Sequence, residues 1–191
     1  FVGRKSEATL CSEFISVIGQ SLDVFVPMEI RTFRSLFQYL MELSSQKPFN
    51  LVIDEFQEFY NINESVYSDM QNIWDTYRKK SKMNLIVSGS VYSLMQKIFQ
   101  NNKEPLFGRA DNIIKLSAFD LAPLKEIIFD YNPDYSNDDL LALYSFTGGV
   151  PKYVELLCDN TELSVDGMIS FMVRENSSFT DEGKNLLVEE F

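Results

Sequence analysis

Hydrophobic residues fall along this chain in two rhythms. Leu10, Phe14, Val17, Ile18 and Leu22 recur at spacings near three and four, which predicts a helix capped by Ser6. Phe1-Val2 reads as the end of a strand, with Gly3-Arg4-Lys5 turning into that helix. Phe33, Leu36, Phe37, Leu40 and Met41 repeat the helical rhythm behind a cap at Thr32, and this second helix ends before Pro48. Then the rhythm breaks. Leu51-Val52-Ile53 are consecutive aliphatics, the signature of a strand buried on both faces in a parallel sheet.

The alternation continues. A helix over 65–80 carries Val66, Met70, Ile73, Trp74 and Tyr77 as its apolar stripe. Met83–Val87 is a second buried strand, closed by Ser88-Gly89-Ser90, and the next helix turns Val91, Leu94, Met95, Ile98 and Phe99 inward. After an irregular loop over 101–109, Asn112–Leu116 reads as a third short strand. Strands alternating with helices imply right-handed crossovers and a mostly parallel sheet. From Ala118 the strands stop. Helices are expected near 121–131, 136–146, 151–158, 164–176 and 180–190, with a capping box at Ser136 and Asp139 and Pro151 in a first turn. The pattern thus divides the chain into an α/β part, 1–118, and an all-helical part, 119–191.

Composition narrows the chemistry. The chain contains no histidine, which removes imidazole acid–base catalysis and histidine-ligated metals from its own repertoire. A net charge of −11 argues against a nucleic-acid surface, since a duplex needs a basic face. Arg78-Lys79-Lys80 and Lys82 read as a solvated helix end. Cys11 and Cys158 stand in helical apolar patterns without metal or disulfide spacing, as expected of core thiols in a reducing, cytoplasmic setting. No run is apolar for long enough to span a membrane, and no signal peptide is visible. The sequence opens already strand-like at Phe1 and stops in mid-pattern at Phe191, so we read it as part of a longer protein.

Asp54-Glu55, at the carboxyl end of the Leu51 strand, is the candidate centre. Ligands of open α/β sheets bind at such strand ends. Two adjacent carboxylates there suit a phosphate: one for Mg²⁺, the next for polarising a water. The plain alternative is a strand that simply ends in polar residues. The adjacent strand ends in Ser88-Gly89-Ser90, so a hydroxyl of Ser88 or Ser90 could sense a γ-phosphate, although Ser90 also stands where a helix N-cap belongs. Arg109 is either an ordinary surface arginine or a cation for a transferring phosphoryl group. Gly148-Gly149 before Pro151-Lys152 permits positive φ or close approach to a ligand, and equally a helix C-cap followed by proline. One part is missing from these 191 residues. The phosphate cradle Gly-x-x-x-x-Gly-Lys-Ser/Thr occurs nowhere; Gly3-Arg4-Lys5-Ser6 and Gly183-Lys184-Asn185 do not match it.

Leu51–Phe59 (LVIDEFQEF), Asn84–Ser90 (NLIVSGS), Pro105–Arg109 (PLFGR) and Phe146–Pro151 (FTGGVP) occur in one order. In this the chain resembles the archaeal-type AAA+ ATPases of prokaryotes, P-loop NTPases, over nearly its whole length. The resemblance implies a partial mostly parallel three-layer α/β sheet that lacks the Walker A strand, followed by a helical lid. It implies that Asp54-Glu55 is the Walker B pair, with Asp54 at the metal and Glu55 at the water. Ser88 and Ser90 then fall in the sensor region, Arg109 at the finger-like position, and Gly149, Pro151 and Lys152 near the nucleotide. ATP and Mg²⁺ are the implied cofactors of the parent, with none expected on these residues alone.

The same resemblance leads us to expect the Leu51 and Asn84 strands to pair, with Asn112–Leu116 closing a gap or pairing elsewhere. Exposed edges would favour self-association. The expected function is an ATPase domain that is idle without its cradle. The alternative is a protein-interaction or scaffold module that no longer binds nucleotide. No membrane partner is expected; nucleic acid remains open only for the parent.

Overall fold

The computed structural model describes residues 1–174, and the helix expected over 180–190 lies outside them. The chain divides into two compact units, Phe1–Ile113 and Ile114 onward, a little before the boundary read from the pattern.

The first unit is α/β. Helix α1 (Glu7–Leu22) begins where the Ser6 hydroxyl accepts a hydrogen bond from the Thr9 amide at 3.3 Å. It buries Leu10, Cys11 and Ile15, whereas Val17 is 61% exposed, so its inner stripe is rotated from the expected one. Helix α2 (Phe33–Ser44) follows its pattern fully: Thr32 caps it and all five expected side chains are buried. Strand β1 (Phe49–Ile53) leads through a single 3₁₀ turn over 56–58 and a short helix α3 (Phe59–Ile62) into α4 (Ser65–Tyr77), which packs on α2. Strand β2 (Met83–Val87) pairs with β1 in parallel, Leu51 opposite Leu85, and α5 (Tyr92–Gln100) follows.

Two expectations about the sheet are corrected. Among the described residues it has two strands, not three. Residues 112–116 form no strand, and Ile113, Ile114 and Leu116 are 57%, 81% and 90% exposed. A strand exists only where a neighbour receives its backbone groups, and aliphatic composition alone supplies none. Nor is the sheet buried on both faces. Leu51, Ile53, Met83, Leu85 and Val87 pack into the core with α1, α2, α4 and α5. On the opposite face Asn50, Val52, Asn84 and Ile86 are exposed, Val52 by 58% and Ile86 by 46%. The three-layer sandwich is therefore two-layered in this unit. Side chains alternate across a strand, so β1 and β2 offer a second face of mixed polarity that no helix of this unit covers. Helix α5 is likewise less buried than its stripe suggests, with Ile98 alone fully inside.

The second unit is helical. Helices α6 (Leu121–Tyr131), α7 (Asn137–Thr147), α8 (Pro151–Asn160) and α9 (Val165–Met172) close around Leu124, Ile128, Leu143, Val154, Leu157 and Met168. The capping box forms between Ser136 and Asp139, and Pro151 opens α8. Helix α9 is shorter than its pattern. No described helix is long and apolar enough to cross a membrane.

Candidate active site

Strands β1 and β2 end side by side, and their polar residues bond to each other. The Ser88 amide donates to the Ile53 carbonyl at 2.9 Å, and the Phe56 amide donates to the Ser88 carbonyl at 2.9 Å. These bonds carry the parallel ladder one step beyond the strands. They bring Asp54-Glu55 and Ser88-Gly89-Ser90 together, as the sequence proposes.

Asp54 is exposed, and the Ser88 hydroxyl donates to its Oδ1 at 2.6 Å. That bond, with a second from the Glu55 backbone, holds the carboxyl below the usual aspartate range, so Asp54 is an anion. Glu55 is half-buried and takes φ 54°, ψ 42°. A left-handed backbone at a non-glycine residue costs free energy, and such residues gather at functional sites. The turn redirects the chain so that Phe56 enters the core, where its ring meets Tyr67 edge-on at 5.4 Å and lies 5.9 Å from Phe99. The buried Tyr67 hydroxyl donates to the carbonyls of Phe56 at 3.2 Å and Gln57 at 3.3 Å. Burial pushes its ionisation far above neutrality, so it remains a donor.

Glu55 has two side-chain donors, and both bond the same oxygen. The Ser90 hydroxyl reaches Oε2 at 2.9 Å, and the Gln57 amide nitrogen bonds Oε2 as well. Ser90 thus does not cap α5; Val91 occupies that position without a side-chain bond. Gln57 is 1% exposed, and its Oε1 has no hydrogen-bond partner among the described residues. A Cβ added at Gly89 would lie 2.1 Å from that oxygen and 2.6 Å from the Met95 sulfur, so glycine leaves the room that Gln57 fills. Sequence reading passed over Gln57. A glutamine two positions after the acid pair carries no periodic signal; only its adjacency to a turn that must reverse direction could have singled it out.

The other sequence candidates have local surroundings of their own. Within the first unit Arg109 is fixed from several directions: Nε and Nη2 bond Asp75 at 3.2 and 2.7 Å, and Nη1 donates to the carbonyls of Pro105 and Phe107 at 2.8 and 3.0 Å. These bonds tie the 101–109 loop to α4. In the second unit Gly149 has φ 72°, and its carbonyl accepts from the Phe119 amide at 2.7 Å. A Cβ there would lie 2.0 Å from the Phe119 carbonyl oxygen. Pro151 sets the first turn of α8, and Lys152 is exposed with its ammonium 6.0 Å from the Tyr153 ring centre.

For a cation, the strand ends offer two carboxylates, the exposed Asp54 and the half-buried Glu55; no group of three or more Asp, Glu, Cys or His able to hold a metal occurs among the described residues. A Mg²⁺–nucleotide site takes one or two carboxylates and completes its shell with water and phosphate oxygens. Asp54 fits that limited part. For the phosphates themselves, the sequence contains no Gly-x-x-x-x-Gly-Lys-Ser/Thr.

Comparison with known proteins bears on the family and the fold. Residues 8–157 match the model of a family of ATPase domains found predominantly in Archaea. An uncharacterized protein of Methanocaldococcus jannaschii is 33% identical over 105 residues, covering 55% of this chain and 23% of that protein. A Walker-type ATPase of Pyrococcus abyssi has a similar solved structure, with a TM-score of 0.65 at 16% identity over 97% of this chain and 57% of the other. The likeness to the solved structure shows a shared fold. The chain spans about a quarter of the length of the curated relative and just over half of the solved one.

Proposed function

Because this chain belongs to the family of ATPase domains found predominantly in Archaea, we infer that its strand-end acids serve ATP hydrolysis. The observation that carries the reading is the pairing of Asp54 and Glu55 with Ser88 and Ser90 across the ends of two parallel strands. Asp54 is the residue to hold Mg²⁺, which would neutralise phosphate charge when bound. Glu55 is the residue to accept a proton from water as the water oxygen bonds the γ-phosphorus and the bond to the ADP oxygen breaks. Ser88 and Ser90 hold the two carboxylates in place.

The reading gives Arg109 and the Gly148-Gly149 turn smaller parts than the motif order suggests. A phosphoryl role for Arg109 would require it to leave Asp75. Its bonds favour an anchor for the 101–109 loop.

The phosphate cradle has to come from outside these 191 residues, so the described units alone are expected to be idle. The missing cradle also favours a second reading, a scaffold module that keeps the fold without turnover. A cytoplasmic setting belongs to the same proposal, and two buried free thiols support it. Phosphate release by the full-length protein with Mg²⁺-ATP decides between them. Turnover that falls ~100-fold or more in Glu55→Gln, with nucleotide still bound, supports hydrolysis. Absence of turnover in the wild type supports the scaffold.

A further inference from the structure

Glu55 Oε2 receives both side-chain donors that reach this residue, the Ser90 hydroxyl and the Gln57 amide, while Oε1 has no partner among the described residues. A carboxylate pinned at one oxygen presents the other in a fixed direction. Gln57 is well placed to do the pinning. It is 1% exposed, it starts in the turn that follows the left-handed Glu55, and the Tyr67 hydroxyl fixes its backbone carbonyl. Its amide end lies against Gly89, where an added Cβ would fall 2.1 Å from Oε1.

The arrangement has one unusual feature. Gln57 Oε1 is buried without a donor. A glutamine retained for packing alone would be replaced without loss by a leucine or methionine of similar volume, which bury no unpaired acceptor. An acceptor left unpaired so that the nitrogen at the other end can reach a carboxylate is the mark of a residue kept for that nitrogen.

We propose that Gln57 is a positioning residue for Glu55: with Ser90 it holds Oε2, and so presents Oε1 as the proton-accepting oxygen. Gly89 belongs to the same device, since any side chain there displaces the Gln57 amide. The inference rests on the ATPase reading for its consequence in turnover, and on geometry alone for the clamp.

The test combines spectroscopy and kinetics on the full-length protein. With ¹⁵N-labelled glutamine, the Gln57 side-chain amide is identified by its loss in Gln57→Leu. Its exchange with solvent is expected to be slow in the wild type and ~10-fold or more faster in Glu55→Ala, where the carboxylate is gone. In steady-state turnover Gln57→Leu is expected to lower kcat ~10- to 100-fold with the KM for ATP within about twofold, and without loss of melting temperature. Ser90→Ala, which removes the second donor, should move kcat the same way. An amide that exchanges equally in wild type and Glu55→Ala overturns the clamp whatever the activity. An active wild type with unchanged kcat in both Gln57→Leu and Ser90→Ala overturns the positioning role alone. A wild type without turnover overturns the ATPase reading on which that role rests.

Discussion

The strand ends of the α/β unit and the glycine turn of the helical unit carry motifs of equal prominence in the sequence, and they use their residues in opposite ways. At the strand ends backbone bonds carry β1 and β2 one step onward, and every polar side chain of Asp54, Glu55, Ser88 and Ser90 bonds another member of the group. A left-handed glutamate is tolerated there, and a buried glutamine keeps an unpaired oxygen. At the turn between α7 and α8, Gly148 closes α7 in a left-handed cap, Thr147 bonds the Leu143 carbonyl and the Gly149 amide, and Gly149 receives the Phe119 backbone. Each is accounted for by the fold of that unit. Left-handed backbone alone does not mark the candidate site, since Asp23 and Leu163 adopt it too; the mutually bonded side chains and the buried unpaired oxygen do.

That contrast can be broken first at Gly149. Alanine there would bring Cβ to 2.0 Å from the Phe119 carbonyl oxygen at a φ of 72°. Backbone cannot yield as a side-chain end does, so Gly149→Ala should destabilise the helical unit by about 3–4 kcal/mol. Gly148→Ala, whose Cβ meets nothing within 4 Å, should cost only about 1 kcal/mol for the left-handed backbone. Urea denaturation followed by circular dichroism measures both. If the two cost the same, the Phe119 contact is not what requires glycine at 149.

A smaller effect is expected at Gly89, where the colliding atoms are the ends of Gln57 and Met95. Gly89→Ala should cost about 1–3 kcal/mol and should also speed exchange of the Gln57 amide, which Gly149→Ala leaves alone. Arg109→Met should cost about 1 kcal/mol, because Asp75 is 45% exposed and water screens the pair. It is read by the same denaturation, and a loss of several kcal/mol would mean that the loop anchors far more than α4.

The smallest effect is in pH. Bonds from the Ser136 backbone and side chain hold the Asp139 carboxyl below the usual range, and the Val165 amide adds another. A folded pKa below the unfolded value makes the contribution fully present above the usual carboxylate pKa of about 4. It is lost as pH falls through the depressed folded value. Asp139→Asn should therefore flatten the acid limb of the stability curve below pH ~4 and leave its slope at neutral pH unchanged. Equal acid limbs for the two proteins would remove Asp139 from the account.

Much of this molecule is written in its local pattern, but not the parts that depend on a neighbour. The α2 stripe, the cap at Thr32 and the Ser136–Asp139 box are local features and form as read. The strand pairing of β1 and β2 is also as expected. The strand over 112–116 is not formed, because a strand is a relation between two segments and no described segment pairs with this one. Burial of Val52 and Ile86 fails for the same reason: an aliphatic run declares what could be buried, not what covers it. At the candidate site, the adjacency of Asp54, Glu55, Ser88 and Ser90 was legible because they close two neighbouring strands. Gln57 was not, since its significance lies in the atoms that Gly89 and Glu55 bring to it.

If the strand ends are the working site and Arg109 is a joint, the two must respond differently to substitution. The most direct test is a comparison of kcat for Glu55→Gln and Arg109→Met in the full-length protein under saturating Mg²⁺-ATP, each corrected for the folded fraction. The account predicts a loss of ~100-fold or more for Glu55→Gln and a change within about twofold for Arg109→Met. Wild-type turnover in Glu55→Gln, or a collapse in Arg109→Met with the fold intact, would contradict it.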